Sequence, residues 1–160
     1  MRILRLHPDE GTRLRTIRMR ALLDAPDAFG STAEETATRP PESWRQQLED
    51  LATFVAVIDG EDAGMVRAAL ADGSTEAAYL LSMWVAPSAR GRGAGGALIA
   101  AVLDWAKEAG ASTVLLDVAD DNAPAIALYA GHGFVPTGVA GALPPPREHI
   151  TEHERAHTIR

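Results

Sequence analysis

The interpretation of this chain depends on one stretch, Leu81-Ser82-Met83-Trp84-Val85-Ala86-Pro87-Ser88-Ala89-Arg90-Gly91-Arg92-Gly93-Ala94-Gly95-Gly96. It joins an apolar segment that is typical of a strand to a strongly helical segment, residues 97–109. A glycine-rich turn at this junction places unpaired helix N–H groups beside backbone that carries no Cβ atoms. Such a turn is a favourable seat for a pyrophosphate group, and Arg90 and Arg92 add charge that can pair with phosphate oxygens.

The glycines of this turn fit two different nucleotide-binding patterns. Read from Gly91, they satisfy G-x-G-x-x-G, and Asp117 follows about twenty residues later, as in dinucleotide-binding domains. That pattern directly follows the first strand of a doubly wound parallel sheet, whereas here it is separated from its strand and follows an apparent antiparallel meander. Read from Arg90, the same turn is R-x-x-G-x-G.

A second motif lies further along the chain. It reads Asp117-Val118-Ala119-Asp120-Asp121-Asn122 and continues as Ala125-Ile126-Ala127-Leu128-Tyr129 and Gly133-Phe134. With the R-x-x-G-x-G turn before it, residues 80–138 resemble the GCN5-related N-acetyltransferases, the GNAT family. Two motifs in this order are far more specific than either alone.

The strand and helix signals agree with the fold that this resemblance implies. Residues 53–58, 65–71 and 78–85 alternate with short turns and predict an antiparallel meander. The helix at 97–109 then leads to an apolar strand at 113–118, which gives one β-α-β crossover. We therefore expect one domain over residues 1–160, of the α/β (α+β) class, with a GNAT-like, mixed, mostly antiparallel twisted sheet and about four flanking helices.

The resemblance also assigns cofactor-binding residues. Met83, Trp84 and Val85 would pair through their backbone with the pantetheine arm of acetyl-CoA, and the N–H of Val85 would polarise the thioester carbonyl. Asn122 would contact the CoA arm or cap the following helix. The turn would hold the pyrophosphate through Arg90, Gly91, Arg92, Gly93, Ala94, Gly95 and Gly96.

Two residues match catalytic positions of the family. Tyr129 matches the general-acid tyrosine that protonates the departing CoA thiolate. Asp117 occupies the strand position at which ribosomal-protein alanine acetyltransferases, a branch of the family, carry a glutamate base; its side chain is one methylene shorter, so a water relay is an alternative to direct proton abstraction. Glu34 and Glu35, after the first helix, are further candidates for the base.

Composition excludes several other classes of protein. The formal net charge of −7 argues against a general nucleic-acid or membrane-surface binder. The absence of cysteine removes thiolate nucleophiles and Cys-based metal sites. His149, His153 and His157 are spaced by four residues, but nothing else supports a metal site, so we expect none. No apolar run approaches the ~20 residues of a membrane span, and a cytoplasmic protein is expected.

The sequence thus predicts an N-acetyltransferase that moves an acetyl group from acetyl-CoA to a primary amine by direct attack, with Tyr129 as general acid. The expected acceptor is a small-molecule or peptide amine, and a homodimer is compatible with the sequence. Two alternatives stay open: a non-catalytic CoA-binding or sensing module of the same fold, and a small nicotinamide-dependent enzyme that uses the literal G-x-G-x-x-G.

Overall fold

The computed structural model describes residues 1–74 and 76–160. Within these residues, seven strands form one sheet in the order β1-β2-β3-β4-β5-β7-β6. The strands are β1 Arg2–Arg5, β2 Ala52–Ile58, β3 Glu61–Leu70, β4 Ala77–Val85, β5 Thr113–Ala119, β6 Val135–Ala142 and β7 Thr151–Thr158. The helices are α1 Gly11–Asp24, α2 Ala33–Ala37, α3 Pro41–Asp50, α4 Ala94–Glu108 and α5 Ala123–Gly131.

The predicted architecture is confirmed. Every neighbouring strand pair is antiparallel except β4 and β5, which are parallel and joined by the α4 crossover. Helix α4 begins at Ala94, three residues before the start expected from the apolar pattern, because Gly93 takes a left-handed conformation and already acts as its N-cap. Gly95 and Gly96 therefore belong to the first turn of the helix. The short helix α2 has no clear apolar period and was not predicted.

The core lies on both faces of the central strands. Residues 63–68 of β3 are all buried, which requires cover on both sides of the sheet. Helix α4 packs on one face, where a Cβ at Gly64 would come within 3.2 Å of Leu98. Arg67 projects to the other face and bonds Gln47 of α3, and α1 packs beside α3 there. No helix among residues 1–74 and 76–160 has the length and apolarity that a membrane crossing needs.

The sheet opens between its two parallel strands. Strands β4 and β5 pair only from Ala77 opposite Thr113 to Tyr79 opposite Leu115, although β5 continues to Ala119 against β7. A bulge in β4 coincides with this divergence: the register against β3 shifts just after Leu81, and the next residue, Ser82, has a φ of 58°. Because a bulge bends its strand and increases its twist, it turns the end of β4 away from β5. The carboxyl ends of the two parallel strands thus bound a gap.

Candidate active site

A groove of about 600 Å³ extends from this gap to the N-terminus of α4. On one side it is lined by the end of β4, and on the other by the start of α5. The structure brings most of the residues predicted to bind the cofactor to this groove: Met83, Trp84, Val85, Arg90, Gly91, Gly93, Ala94, Gly95, Gly96 and Asn122. Asn122 also caps α5, since its side-chain oxygen accepts a hydrogen bond of 3.3 Å from the N–H of Ala125.

The turn before α4 is open and presents hydrogen-bond donors. Gly91 and Gly93 have φ values of 78° and 86°, and a Cβ on either would meet no atom within 4 Å. No side chain caps α4, so the N–H groups of its first turn keep their donor capacity and the positive end of the helix dipole is uncovered. These donors suit the phosphate oxygens of a diphosphate, and acetyl-CoA carries one.

The glycines at 95 and 96 have a different physical basis from those in the turn. A Cβ at Gly95 would lie 2.9 Å from Cδ2 of Leu128, and one at Gly96 would lie 2.9 Å from Nε2 of His132. Both neighbours belong to α5 or its C-terminal cap. These two glycines allow α5 to pack closely against the first turn of α4, and a ligand is not needed to explain them.

The two arginines of the turn are held by carboxylates. Arg90 donates from Nη2 to Oδ2 of Asp24 at 2.9 Å and from Nε to the carbonyl of Val85 at 3.1 Å. The indole N–H of Trp84 donates to the same Asp24 oxygen at 2.9 Å. Arg92 lies 3.6 Å from Asp59. Asp24 thus joins α1 to both β4 and the turn, while the pairing of these arginines with phosphate stays a prediction.

A second cavity of about 390 Å³ adjoins the groove. The two share the lining residues Ala28, Phe29, Met83, Asn122, Ala125 and Leu128. The second cavity is also lined by polar side chains from six elements: Arg18, Arg67, Tyr79, Asp117, Tyr129 and Glu152. Met83, at the β4 bulge, therefore lies where the groove meets a polar chamber that contains both residues predicted to be catalytic. We call this chamber the acceptor cavity.

Tyr129 lies at the edge of the acceptor cavity with little exposure. Its side chain is 6% exposed and packs edge-on against Phe134, with ring centroids 5.9 Å apart. Burial raises the pKa of the Tyr129 hydroxyl well above its ordinary value of 10.0. The phenol therefore stays protonated at any pH near neutral and can donate a hydrogen bond.

Two carboxylates face each other across β5 and β7. Asp117 lies opposite Glu154 in the antiparallel register, and Glu152 lies two residues from Glu154 on the same face of β7. Burial, and then the charge of Glu154, raise the pKa of Asp117. Burial, and then the charges of Asp117 and Asp120, raise the pKa of Glu152. A carboxylate with a raised pKa is a stronger proton acceptor than an ordinary one.

The sequence analysis did not single out Glu152, which lines the acceptor cavity. Glu152 and Glu154 are two residues apart along β7, which places both on one face of the strand, and this spacing was the signal available in the sequence. Glu34 and Glu35 are exposed in the first turn of α2 and are absent from the lining of the acceptor cavity.

Comparison with known proteins agrees with this geometry. Residues 18–134 match the family model described as the acetyltransferase (GNAT) family. The chain belongs to the GNAT family. Because the match starts in α1 and runs past α5, it includes the groove and most of the acceptor cavity, and it favours a CoA thioester over a dinucleotide as the ligand of the glycine turn.

This GNAT chain is similar to curated proteins in sequence and to solved structures in fold. Among curated proteins it is 33% identical over 124 residues to the mycothiol acetyltransferase of Stackebrandtia nassauensis, covering 77% of this chain and 40% of that protein. It is 35% identical over 119 residues to the streptothricin acetyltransferase of Streptomyces lavendulae, covering 74% and 59%. The chain thus spans less than two thirds of the length of these relatives. A Salmonella typhimurium acetyltransferase structure with its cofactor acetyl-CoA superposes with a TM-score of 0.81 at 18% identity, covering 100% of this chain and 94% of that one.

One side chain of this GNAT domain ties two walls of the acceptor cavity together. The guanidinium of Arg147, in the β6–β7 connection, donates to the carbonyls of Pro26, Phe29 and Gly30 at 2.5, 2.7 and 2.9 Å. Phe29 and Gly30 line the cavity from the α1–α2 side, and Leu143 lines it from the β6–β7 side. Arg147 therefore connects the α1–α2 wall of the cavity to the β6–β7 wall.

The C-terminal histidines make separate contacts. Nδ1 of His153 donates to Oδ1 of Asp120, and Nδ1 of His157 donates to the carbonyl of His132 at 2.9 Å. His149 precedes β7. Over residues 1–74 and 76–160, no group of three or more His, Cys, Asp or Glu side chains is arranged to hold a metal ion.

Proposed function

We propose that this chain is an acetyl-CoA-dependent N-acetyltransferase that acetylates a primary amine directly. One observation carries the proposal: the gap between β4 and β5 continues into the uncapped N-terminus of α4 and opens on a cavity with a protonated tyrosine and two carboxylates. A single elongated thioester can occupy the groove while an amine occupies the cavity, and both reach the shared wall at Met83. Holding both reactants in this way, together with stabilisation of the oxyanion, supplies most of the expected rate increase.

The cofactor side uses backbone groups. The donors at Gly93, Ala94 and Gly95 suit the diphosphate of acetyl-CoA. The unpaired edge of β4 beyond Tyr79 offers hydrogen-bonding groups to the pantetheine amides, as an added strand would use them. An N–H of this edge near Val85 polarises the thioester carbonyl.

The acceptor side removes the proton that blocks attack. An alkylammonium with a pKa near 10.4 is neutral in only about one molecule in a thousand at pH 7, a deficit of roughly 4 kcal/mol. Asp117 and Glu152 draw the ammonium into the cavity and accept its proton, directly or through water. Their raised pKa values make them better bases than ordinary carboxylates.

The bond changes then follow in one sequence. The amine nitrogen attacks the thioester carbonyl carbon and forms the C–N bond, while the carbonyl oxygen gains negative charge. The C–S bond breaks as the carbonyl re-forms, and the sulfur leaves with the electron pair. Tyr129 donates to that sulfur. Tyr129 first hydrogen-bonds the forming thiolate. Because burial raises the pKa of its phenol above that of a thiol, the phenolic proton passes to the sulfur only as the second proton of the amine nitrogen replaces it on the phenol oxygen. The products are an amide and a free thiol.

The test is release of free thiol from acetyl-CoA across a panel of amines. We expect turnover with at least one primary amine and a loss of roughly 100-fold or more in kcat for Tyr129→Phe. Tyr79→Phe is the matched control, because it removes the hydroxyl of the other tyrosine in the same cavity and should cost much less. Binding of CoA without thiol release from any amine would favour the non-catalytic module, and binding of NAD without CoA would favour the nicotinamide alternative.

A further inference from the structure

We propose that the acceptor carries an anionic group, a carboxylate, besides its reactive amine, and that Arg18 and Arg67 form the subsite that binds it. This inference rests on the proposed function, since it specifies the second substrate of that reaction. It starts from two buried arginines that line the acceptor cavity.

Arg18 lies on the buried face of α1. It follows Leu14 by four residues and precedes Leu22 by four, so the helix period directs all three side chains inward. Arg18 is 4% exposed, and its guanidinium carbon lies 4.7 Å above the ring of Phe29. Its Nη1 atom is buried and has no hydrogen-bond partner among the described residues.

Arg67 approaches the same cavity from β3. It is 8% exposed and donates from Nε to Ser82 at 3.0 Å and from Nη1 to Gln47 at 2.9 Å. These partners are neutral, and neither Arg67 nor Arg18 forms a salt bridge within residues 1–74 and 76–160. The charge of Arg67 also acts on Arg18: burial, and then the charges of Arg67 and Arg39, lower the pKa of Arg18 to about 9.

Two buried guanidinium groups without a counter-ion are costly for a protein. A buried charge is normally paired, because its desolvation is repaid only by a partner and by hydrogen bonds. The partner here is best supplied by a ligand, because both arginines line an open cavity. A planar carboxylate matches the fork geometry of a guanidinium.

The distribution of charge in the cavity gives the class of acceptor. The arginines come from α1 and β3, whereas Asp117 and Glu152 come from β5 and β7. An amino acid fits both sets of charges, with its carboxylate at the arginines and its ammonium at the acids. A polyamine or an alkylamine would leave the two arginines unpaired.

The experiment compares matched pairs of acceptors that differ only by the carboxylate: L-2,4-diaminobutyrate with 1,3-diaminopropane, L-ornithine with putrescine, and L-leucine with isopentylamine. For each pair we would measure kcat/KM by thiol release, and the melting temperature in the presence of CoA. In at least one pair, the amino acid is expected to exceed its partner by roughly 10- to 150-fold in kcat/KM and to raise the melting temperature more.

Variants of α1 then test the subsite itself. Arg18→Met keeps the volume of the side chain and removes its charge, so the preference within the pair should fall toward one. Arg15→Met is the control, because Arg15 is exposed on the same helix, and it should keep the preference. The inference would be overturned if the wild type had equal kcat/KM for both members of every pair. It would also be overturned if folded Arg18→Met kept the preference for the amino acid.

The two readouts separate this inference from the proposed function. Thiol release with all amines, combined with equal stabilisation by both members of each pair, would overturn the anionic subsite and leave acetyl transfer intact. Carboxylate-dependent stabilisation that Arg18→Met abolishes, without thiol release from any amine, would support the subsite and contradict the transferase.

Discussion

Gly93→Ala is the most informative perturbation of the groove, because its effect on stability and its effect on CoA affinity can be calculated separately. Gly93 has a φ of 86°, and its Cβ direction is free of neighbours within 4 Å. An alanine there fits sterically, but its left-handed conformation lowers the free energy of unfolding by about 1–2 kcal/mol. For a chain of this size, each kcal/mol lowers the melting temperature by roughly 2–4 °C.

The functional effect is separate from this strain. The new methyl group points into open space at the turn that lines the groove, so it obstructs the approach of a phosphate to the amides of α4. Loss of one hydrogen bond to a charged group costs about 1.5–3 kcal/mol, which is a decrease of roughly 10- to 150-fold in CoA affinity. Isothermal titration calorimetry with CoA measures this, and thermal unfolding measures the strain.

Gly110→Ala provides the control for strain. Gly110 follows the C-terminus of the same helix, has a φ of 89°, and is equally free of neighbours. It should lower the melting temperature by a similar amount and leave the CoA affinity unchanged. If Gly93→Ala bound CoA as tightly as Gly110→Ala does, the assignment of this turn to the diphosphate would be refuted.

Three other substitutions test the acceptor cavity. Tyr129→Phe should reduce kcat by roughly 100-fold or more with little change in the KM for acetyl-CoA; an equal loss in CoA affinity would contradict an acid role. Because the pKa of Asp117 is raised in the folded state, its contribution to stability is lost as pH rises above the ordinary value. Asp117→Asn should therefore match the wild type in melting temperature near pH 3 and exceed it at pH 7, whereas a lower value at pH 7 would oppose this reasoning. Arg147→Lys should lose carbonyl contacts, accelerate amide hydrogen exchange across residues 26–30 and raise the acceptor KM while CoA affinity is kept; unchanged exchange would show that Arg147 does not hold this wall.

The part of the fold that was predictable is the part with strong local signals. The apolar β-branched run at 53–58, the turn after it and the amphipathic period of 97–109 each have one structural interpretation. The glycine turn was also visible in the sequence, because four glycines and two arginines within residues 90–96 stand between a strand and a helix. The start of α4 was set too late because glycine is a poor helix former, although tertiary packing on Leu128 requires it at Gly95.

The acceptor cavity was much less predictable. Its polar lining comes from α1, β3, β4, β5, α5 and β7. Whether these elements lie next to one another depends on the order of the strands in the sheet, which local periodicity does not determine. Arg18 shows the difficulty clearly. In the sequence it is one of several arginines on a helix, and only the packing of α1 against the sheet reveals that it is buried while Arg15 remains exposed.

The most direct test of the account is a crystal structure of this protein with acetyl-CoA. We expect the diphosphate on the amides of the Gly91–Gly96 turn, the pantetheine arm in the gap between β4 and β5, and the thioester beside Met83 at the entrance to the acceptor cavity. A complex in which the diphosphate lies away from the N-terminus of α4, or in which the thioester cannot reach the cavity that contains Tyr129, would contradict it.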